Sequence, residues 1–181
     1  KFCVGPKKEG APKSTNTIDE LWTQRTSNFL VLLDNDFFGN PDWKNRIAEM
    51  NEYDLRVNFS QGINIRNLTE EQANALASVK FRNIKNTRSQ IHFAWDDPRH
   101  EKLIHRGIKR CLEAGIKTWQ MTFYVLIGFH SSESEDLHRV ETLRSYGCDP
   151  YAMPYNKDDP YQKNFTRWVN HKATFNTVPW H

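Results

Sequence analysis

The feature that most constrains this chain is a repeated alternation of short apolar segments with segments of helical periodicity. The clearest apolar segment is the uninterrupted run Phe-Leu-Val-Leu-Leu at 29–33. Such a run is typical of a strand that is buried on both faces of a parallel sheet. Strands and helices that alternate in this way predict an α/β fold with parallel strands and right-handed crossovers.

The pattern predicts five strands separated by helices. The predicted strands are 29–33, 55–59, 90–95, 121–127 and 150–155. The predicted helices cover 42–51, a stretch that begins after Thr69, 99–114, 133–146 and 161–171. Periodicity alone fits an open sheet and a barrel equally well, so both architectures stay open at this point.

Composition limits the class of protein. The chain has 181 residues, of which 38% are hydrophobic and 26% charged, as in a single globular domain. Its net charge of +3 is too small to indicate a nucleic-acid partner. No apolar run approaches the ~20 residues that cross a bilayer, so no membrane partner is expected. The three cysteines suggest no disulfide framework and favour the cytoplasm.

Polar residues follow the predicted strands where each strand ends. They are Asp34, Asn35 and Asp36, then Ser60 and Gln61, Asp96 and Asp97, Gly128, and Tyr155 and Asn156. Ligands of parallel α/β folds bind at the carboxyl ends of the strands. The sequence therefore predicts a ligand site at this edge.

One interpretation of this edge is a phosphatase. An apolar strand that ends in Asp34-x-Asp36 is similar to the first motif of haloacid-dehalogenase-type phosphatases, in which the first Asp is the nucleophile and the second a general acid/base. Asp96, Asp97 and Glu101 would then hold Mg²⁺. However, Phe37 and Phe38 follow the motif, where that family usually has a small residue or Gly-Thr.

The N-terminal residues favour a different interpretation. Lys1-Phe2-Cys3 resembles the last three residues of the Cys-x-x-x-Cys-x-aromatic-Cys loop of radical S-adenosylmethionine (SAM) enzymes. The two other cysteines of the loop, and the first strand, would then lie upstream of Lys1. The later segments also resemble this superfamily in order and spacing, although Asp34-Asn35-Asp36 replaces the usual Gly-Gly-Glu.

The resemblance implies a partial (β/α)₆ barrel over residues 1–156 that lacks its first strand, followed by a C-terminal extension over 157–181. It further implies a [4Fe–4S] cluster, with Cys3 as one ligand, and bound SAM. The radical-SAM core would generate a 5′-deoxyadenosyl radical for an unknown substrate, with electrons from a donor such as flavodoxin or ferredoxin.

The resemblance also implies roles for individual residues. Asp34 or Asp36 would accept hydrogen bonds from the SAM ammonium, and Arg66 would pair with its carboxylate. Asp96 or Gln61 would hold the ribose. Phe2, Gly128 and Phe129 would line the adenine, and Asn35 and Asn156 would complete the cofactor-binding edge.

One thiolate cannot hold a cluster that needs three. The resemblance therefore also predicts that these 181 residues by themselves are inactive as a radical enzyme. A third interpretation, a catalytically inactive barrel fragment that serves as a binding module, stays open. Cys111 and Cys148 are expected to be structural thiols.

Overall fold

The structure, a computed structural model, describes residues 16–23 and 25–180. Its strands are β1 (Phe29–Leu32), β2 (Arg56–Phe59), β3 (Lys80–Phe81), β4 (Ile91–Ala94), β5 (Met121–Ile127) and β6 (Asp149–Pro154). Its α-helices are α1 (Ile18–Leu21), α2 (Trp43–Glu52), α3 (Glu70–Ser78), α4 (Glu101–Glu113), α5 (Glu133–Tyr146), α6 (Pro160–Asn170) and α7 (Lys172–Thr177). Short 3₁₀ helices cover Phe37–Gly39, Ile65–Asn67, Pro98–His100 and Thr118–Gln120.

The strands form two parallel sheets of three strands each, in the orders β1-β2-β3 and β4-β5-β6. The two sheets meet after β2, where the Ile63 N–H donates to the His92 carbonyl at 2.8 Å. The described strands form no closed barrel. The predicted α/β class with parallel strands is confirmed, and the partial barrel stays a prediction.

Most predicted elements are present with small shifts of their ends. β5 and α5 have the predicted bounds. Helix α5 starts sharply because Ser132 and Glu135 form a reciprocal capping box, and it stops at Gly147, whose φ of 78° is left-handed. A second capping box, between Thr69 and Gln72, starts α3.

Three short elements of the structure were not predicted from the sequence. Strand β3 has two residues, and helices α1 and α7 have four and six. Segments of this length are too short to show a hydrophobic period, and tertiary contacts decide their conformation. Residues 16–23 and 25–180 therefore form six strands where five were predicted.

The two faces of the sheets differ in burial. One face contributes side chains such as Val57, Phe93 and Phe123, each at most 1% exposed, to the main hydrophobic core. The opposite face, which we call the open face, carries the alternate residues. On its outer strands Val31 and Tyr151 are 41% and 45% exposed, whereas Asn58 and Thr122 on its inner strands are at most 5% exposed. None of the described helices is both long and apolar enough to cross a membrane.

Helix α6 lies along the outer edge of β6. The Asn170 side chain accepts from the Ala152 N–H at 2.9 Å and donates to the Ala152 carbonyl at 3.0 Å. This amide therefore takes the place of a neighbouring strand at that point of the edge. Phe165, Trp168 and Phe175 of the C-terminal helices join the main core.

Candidate functional site

The open face is the candidate binding surface. Successive side chains of a strand point to opposite faces of the sheet. In β2, β4, β5 and β6, the residues next in sequence to the core residues therefore lie on the open face. Parallel sheets normally have both faces covered by other elements. Val31 and Tyr151 are exposed on this face at the outer strands β1 and β6, so a ligand can approach the face from those strands.

Asp96 stands at the carboxyl edge of this face, directly after β4. Its side chain accepts a hydrogen bond from the Leu126 N–H at 3.3 Å. Burial raises the pKa of Asp96, and the Leu126 N–H, Arg139 and Arg66 oppose that shift. A partly buried carboxyl with few protein donors is a suitable acceptor for ligand hydroxyl groups.

Asp136 and Arg139 hold this edge in place. Both side chains are fully buried and form an ion pair. Arg139 donates to the carbonyls of Trp95 at 2.8 Å and Leu126 at 2.9 Å, and so ties the ends of β4 and β5 together. It also donates to the carbonyl of Asp96 at 3.0 Å. Sequence reasoning missed Arg139, because an Asp–Arg pair three residues apart on a helix is usually a surface pair.

Gly128 is required at the end of β5. Its φ is +73°, and a Cβ at this position would lie 2.2 Å from Nε2 of Gln162. The Gly128 N–H donates to Asp136 at 3.1 Å. Phe129, the next residue, packs against Tyr155 with ring centroids 4.7 Å apart. These contacts hold the Gly128–Phe129 backbone beside the end of β6.

Arg66 lies on the same side as Asp96. Its Nε donates to Asn64 at 3.1 Å, and its Nη1 lies 3.4 Å from Nδ1 of His100. It is close enough to lower the pKa of Asp96. Among the described acidic residues, none forms a salt bridge with Arg66. Gln61 is exposed on the loop before it.

Asp34, Asn35 and Asp36 are exposed after β1. The residues that follow them are structural: Phe37 is 3% exposed and packs on Phe59, with ring centroids 5.1 Å apart. Asn156, at the far side of the edge, is exposed, and its side chain accepts from the Asp158 N–H at 3.1 Å in a turn. These residues are at strand ends, as predicted, but no described contact joins Asn156 to the Asp34 loop.

A pocket of about 470 Å³ lies between the loops that follow β4 and β5. Its lining residues are Asp97, Pro98, Arg99, His130 and Glu135. Arg99 lowers the pKa of Asp97 to about 2, so this carboxylate is ionised and already paired. Sequence reasoning had not placed His130 at this edge.

Two of the three carboxylates suggested for Mg²⁺, Asp97 and Glu101, are engaged elsewhere. Asp97 pairs with Arg99 at 2.6 Å, and Glu101 accepts from His138 at 2.8 Å. The described residues contain no group of three His, Cys, Asp or Glu side chains arranged to hold a metal. This arrangement offers the phosphatase interpretation no support.

Two of the three cysteines lie among the described residues. Cys3, the predicted cluster ligand, and Phe2 lie outside the described residues. Cys111 and Cys148 are buried, and burial raises the pKa of each thiol to about 12. Thiols with such pKa values stay protonated at neutral pH, as expected of structural thiols.

An aromatic wall occupies the middle of the open face. It consists of His92, Tyr124 and Tyr151. The rings of His92 and Tyr124 are stacked at 5.2 Å with 7° between their planes, and Tyr151 meets Tyr124 edge-on at 5.9 Å. Burial lowers the pKa of His92 and raises that of Tyr124, so both are neutral at pH 7.

In comparisons with known proteins, no family model, no curated protein and no solved structure matches this chain.

Proposed function

We propose that this chain is the core of a radical-SAM enzyme, with its two sheets forming part of an open (β/α)₆ barrel around the cofactor. The observation that carries the proposal is the carboxyl edge of the open face. There, parallel strands end with Asp96 and Arg66 on the same side. The Cys3 motif supplies the second, independent argument.

The residues of this edge have the chemistry that SAM needs. Arg66 has no carboxylate partner among the described residues, so its guanidinium can pair with the SAM carboxylate. Asp96 can accept from the ribose hydroxyls. Asp34 and Asp36 are exposed acceptors for the ammonium group.

The adenine would lie against the Gly128–Phe129 segment. Asp136 holds the Gly128 amide in place, and the Gln162 side chain packs against the position that a Cβ of Gly128 would fill, which fixes this segment of backbone. Cys3, with two upstream cysteines, would ligate the cluster. When bound, the reduced cluster and SAM supply the radical that removes hydrogen from the substrate.

The proposal is tested with the polypeptide encoded by the whole reading frame, since the resemblance implies two cysteines ahead of Lys1. After anaerobic reconstitution with iron and sulfide and reduction, this protein should convert SAM to 5′-deoxyadenosine. Cys3→Ser should abolish product formation. Arg66→Gln should raise the KM for SAM about ten- to hundredfold, the effect of one lost charge-assisted hydrogen bond.

Two variants serve as controls. Cys148→Ala removes a buried thiol and should retain the iron content of the cluster. Arg167→Gln removes an exposed arginine of α6 and should leave the KM unchanged. Absence of 5′-deoxyadenosine from the reconstituted protein would exclude the proposal, and Mg²⁺-dependent release of phosphate that requires Asp34 would favour the phosphatase.

A further inference from the structure

The amino edge of the open face, opposite the proposed cofactor edge, carries three arginines: Arg56, Arg82 and Arg88. Arg56 begins β2, and Arg82 follows β3, with its N–H donating to the Val57 carbonyl at 2.8 Å. The core residues Val57 and Phe81 precede or follow them in sequence, so Arg56 and Arg82 lie on the open face.

The loop between β3 and β4 brings Arg88 beside Arg82. The Asn83 N–H donates to the Arg88 carbonyl at 3.0 Å, which closes the loop. The Arg88 Nε donates to Gln90 at 3.2 Å, and Gln90 donates to Thr122 at 2.6 Å on β5. Arg88 is therefore anchored on the same face, and its charge helps to lower the pKa of His92.

These arginines lack anionic partners among the described residues. The neighbouring carboxylates are already neutralised, Asp54 by Lys80 and Asp149 by Lys172. None of the three arginines forms a salt bridge with a described residue. Three guanidinium groups at one edge of an open sheet face favour a bound anion.

Two of the guanidinium groups also have buried donors without acceptors. Nε of Arg56 and Nε of Arg82 are buried and have no hydrogen-bond partner among the described residues. A buried N–H without an acceptor is costly, and such groups are rare in folded proteins. A ligand oxygen at this edge would satisfy these donors.

The aromatic wall lies next to the arginines, toward the carboxyl edge. Gln90 and His92 are two residues apart, a distance of about 7 Å along a strand. His92, Tyr124 and Tyr151 make no described side-chain hydrogen bond, so the imidazole and both hydroxyls are available to a polar ring. Neutral aromatic rings beside guanidinium groups suit a ligand that combines a planar ring with a phosphate, as a nucleoside monophosphate does.

We propose that the open face binds a nucleoside phosphate, with the phosphate on Arg56, Arg82 and Arg88 and the ring against the aromatic wall. This site is separate from the cofactor edge at Asp96 and Gly128 and does not depend on the proposed function. It rests on three arginines that have no carboxylate partner among the described residues, on the buried Nε donors of Arg56 and Arg82, and on the neutral aromatic side chains beside them.

The test is isothermal titration calorimetry of the 181-residue chain, without iron, against uridine monophosphate, uridine and inorganic phosphate. A uracil ring keeps the probe distinct from the adenosine part of SAM. Uridine monophosphate should bind at least tenfold more tightly than either part alone, and its binding should weaken as salt is raised. Equal binding of uridine and its monophosphate would overturn the proposal.

Matched variants assign the binding to the three arginines. Arg82→Gln and Arg88→Gln should each weaken uridine monophosphate binding about ten- to hundredfold. Arg167→Gln, which removes an arginine exposed on α6, should not change it, and neither should Asp96→Asn at the cofactor edge. Arg88 is exposed, so its variant should fold even if Arg82→Gln does not. Unchanged affinity in Arg88→Gln would exclude the proposed phosphate site.

Discussion

At the scale of single residues, the buried Asp136–Arg139 pair organises the candidate site. Arg139 satisfies carbonyls at the ends of β4 and β5, and Asp136 accepts from Ser131 at 2.6 Å and from Tyr161 at 3.2 Å. Burying two charges has a large desolvation cost, which is offset here because every oxygen and nitrogen of the two side chains has a hydrogen-bond partner. The pair is therefore sensitive to the loss of either member.

We expect Arg139→Met to lower the free energy of unfolding by about 3–5 kcal/mol, because it leaves the Asp136 carboxylate buried without its cation. Urea unfolding followed by circular dichroism measures the change. Arg167→Met, on the exposed face of α6, is the control and should change stability by less than about 0.5 kcal/mol. A loss of under 1 kcal/mol in Arg139→Met would contradict this account.

At the scale of elements, β6 illustrates how a parallel sheet is ended. A strand edge with free N–H and C=O groups would invite pairing with another chain. Here helix α6 lies along the edge, and the Asn170 amide pairs with both backbone groups of Ala152. One side chain thus supplies both hydrogen-bond partners of Ala152, which is fully buried.

Asn170→Ala should destabilise the protein by about 1–3 kcal/mol, because the Ala152 N–H and carbonyl would lose their partners in a buried position. The expected readouts are a lower urea midpoint and faster hydrogen exchange at the Ala152 amide. Asn164→Ala removes an exposed asparagine of the same helix and is the matched control. Unchanged exchange at Ala152 would show that α6 packing alone protects the edge.

At the scale of the whole molecule, the C-terminal segment is part of the same core as the strands. Phe165, Trp168 and Phe175 are at most 6% exposed and pack within the main cluster, and Trp180 contacts Phe165 and Trp168. Burial of three such rings contributes on the order of 10 kcal/mol, which is comparable to the net stability of a domain. Residues on both sides of the boundary that the resemblance suggests after residue 156 therefore pack into one hydrophobic core.

A chain that ends at residue 156 should lose cooperative unfolding and aggregate, because it exposes the apolar surface that α6 and α7 cover. Size-exclusion chromatography and near-ultraviolet circular dichroism distinguish the outcomes. A 181-residue Lys163→Ala variant, altered at an exposed position of α6, should remain monodisperse. A monodisperse, cooperatively folded 1–156 chain would show that the tail is an independent addition.

The candidate site was only partly predictable. Asp96 and Gly128 follow strands with strong apolar patterns, so the rule about strand ends located them. Arg139 and Gln162 were missed, since they lie on helices and reach the edge through side chains that local patterns cannot orient. The arginine cluster depends on β3, a strand of two residues with no hydrophobic period of its own.

The order and type of the main elements follow from local sequence, because apolar periodicity, capping boxes and Gly147 act over a few neighbouring residues. Local sequence does not specify that the described strands form two sheets, or that Val31 and Tyr151 are exposed on one face of them. Nor does local sequence specify that Arg56, Arg82 and Arg88 lie near one another without a carboxylate partner among the described residues. Strand pairing, side-chain burial and ion pairing all involve residues that are distant in the chain. These interactions contribute free energy only when the fold brings those residues into contact.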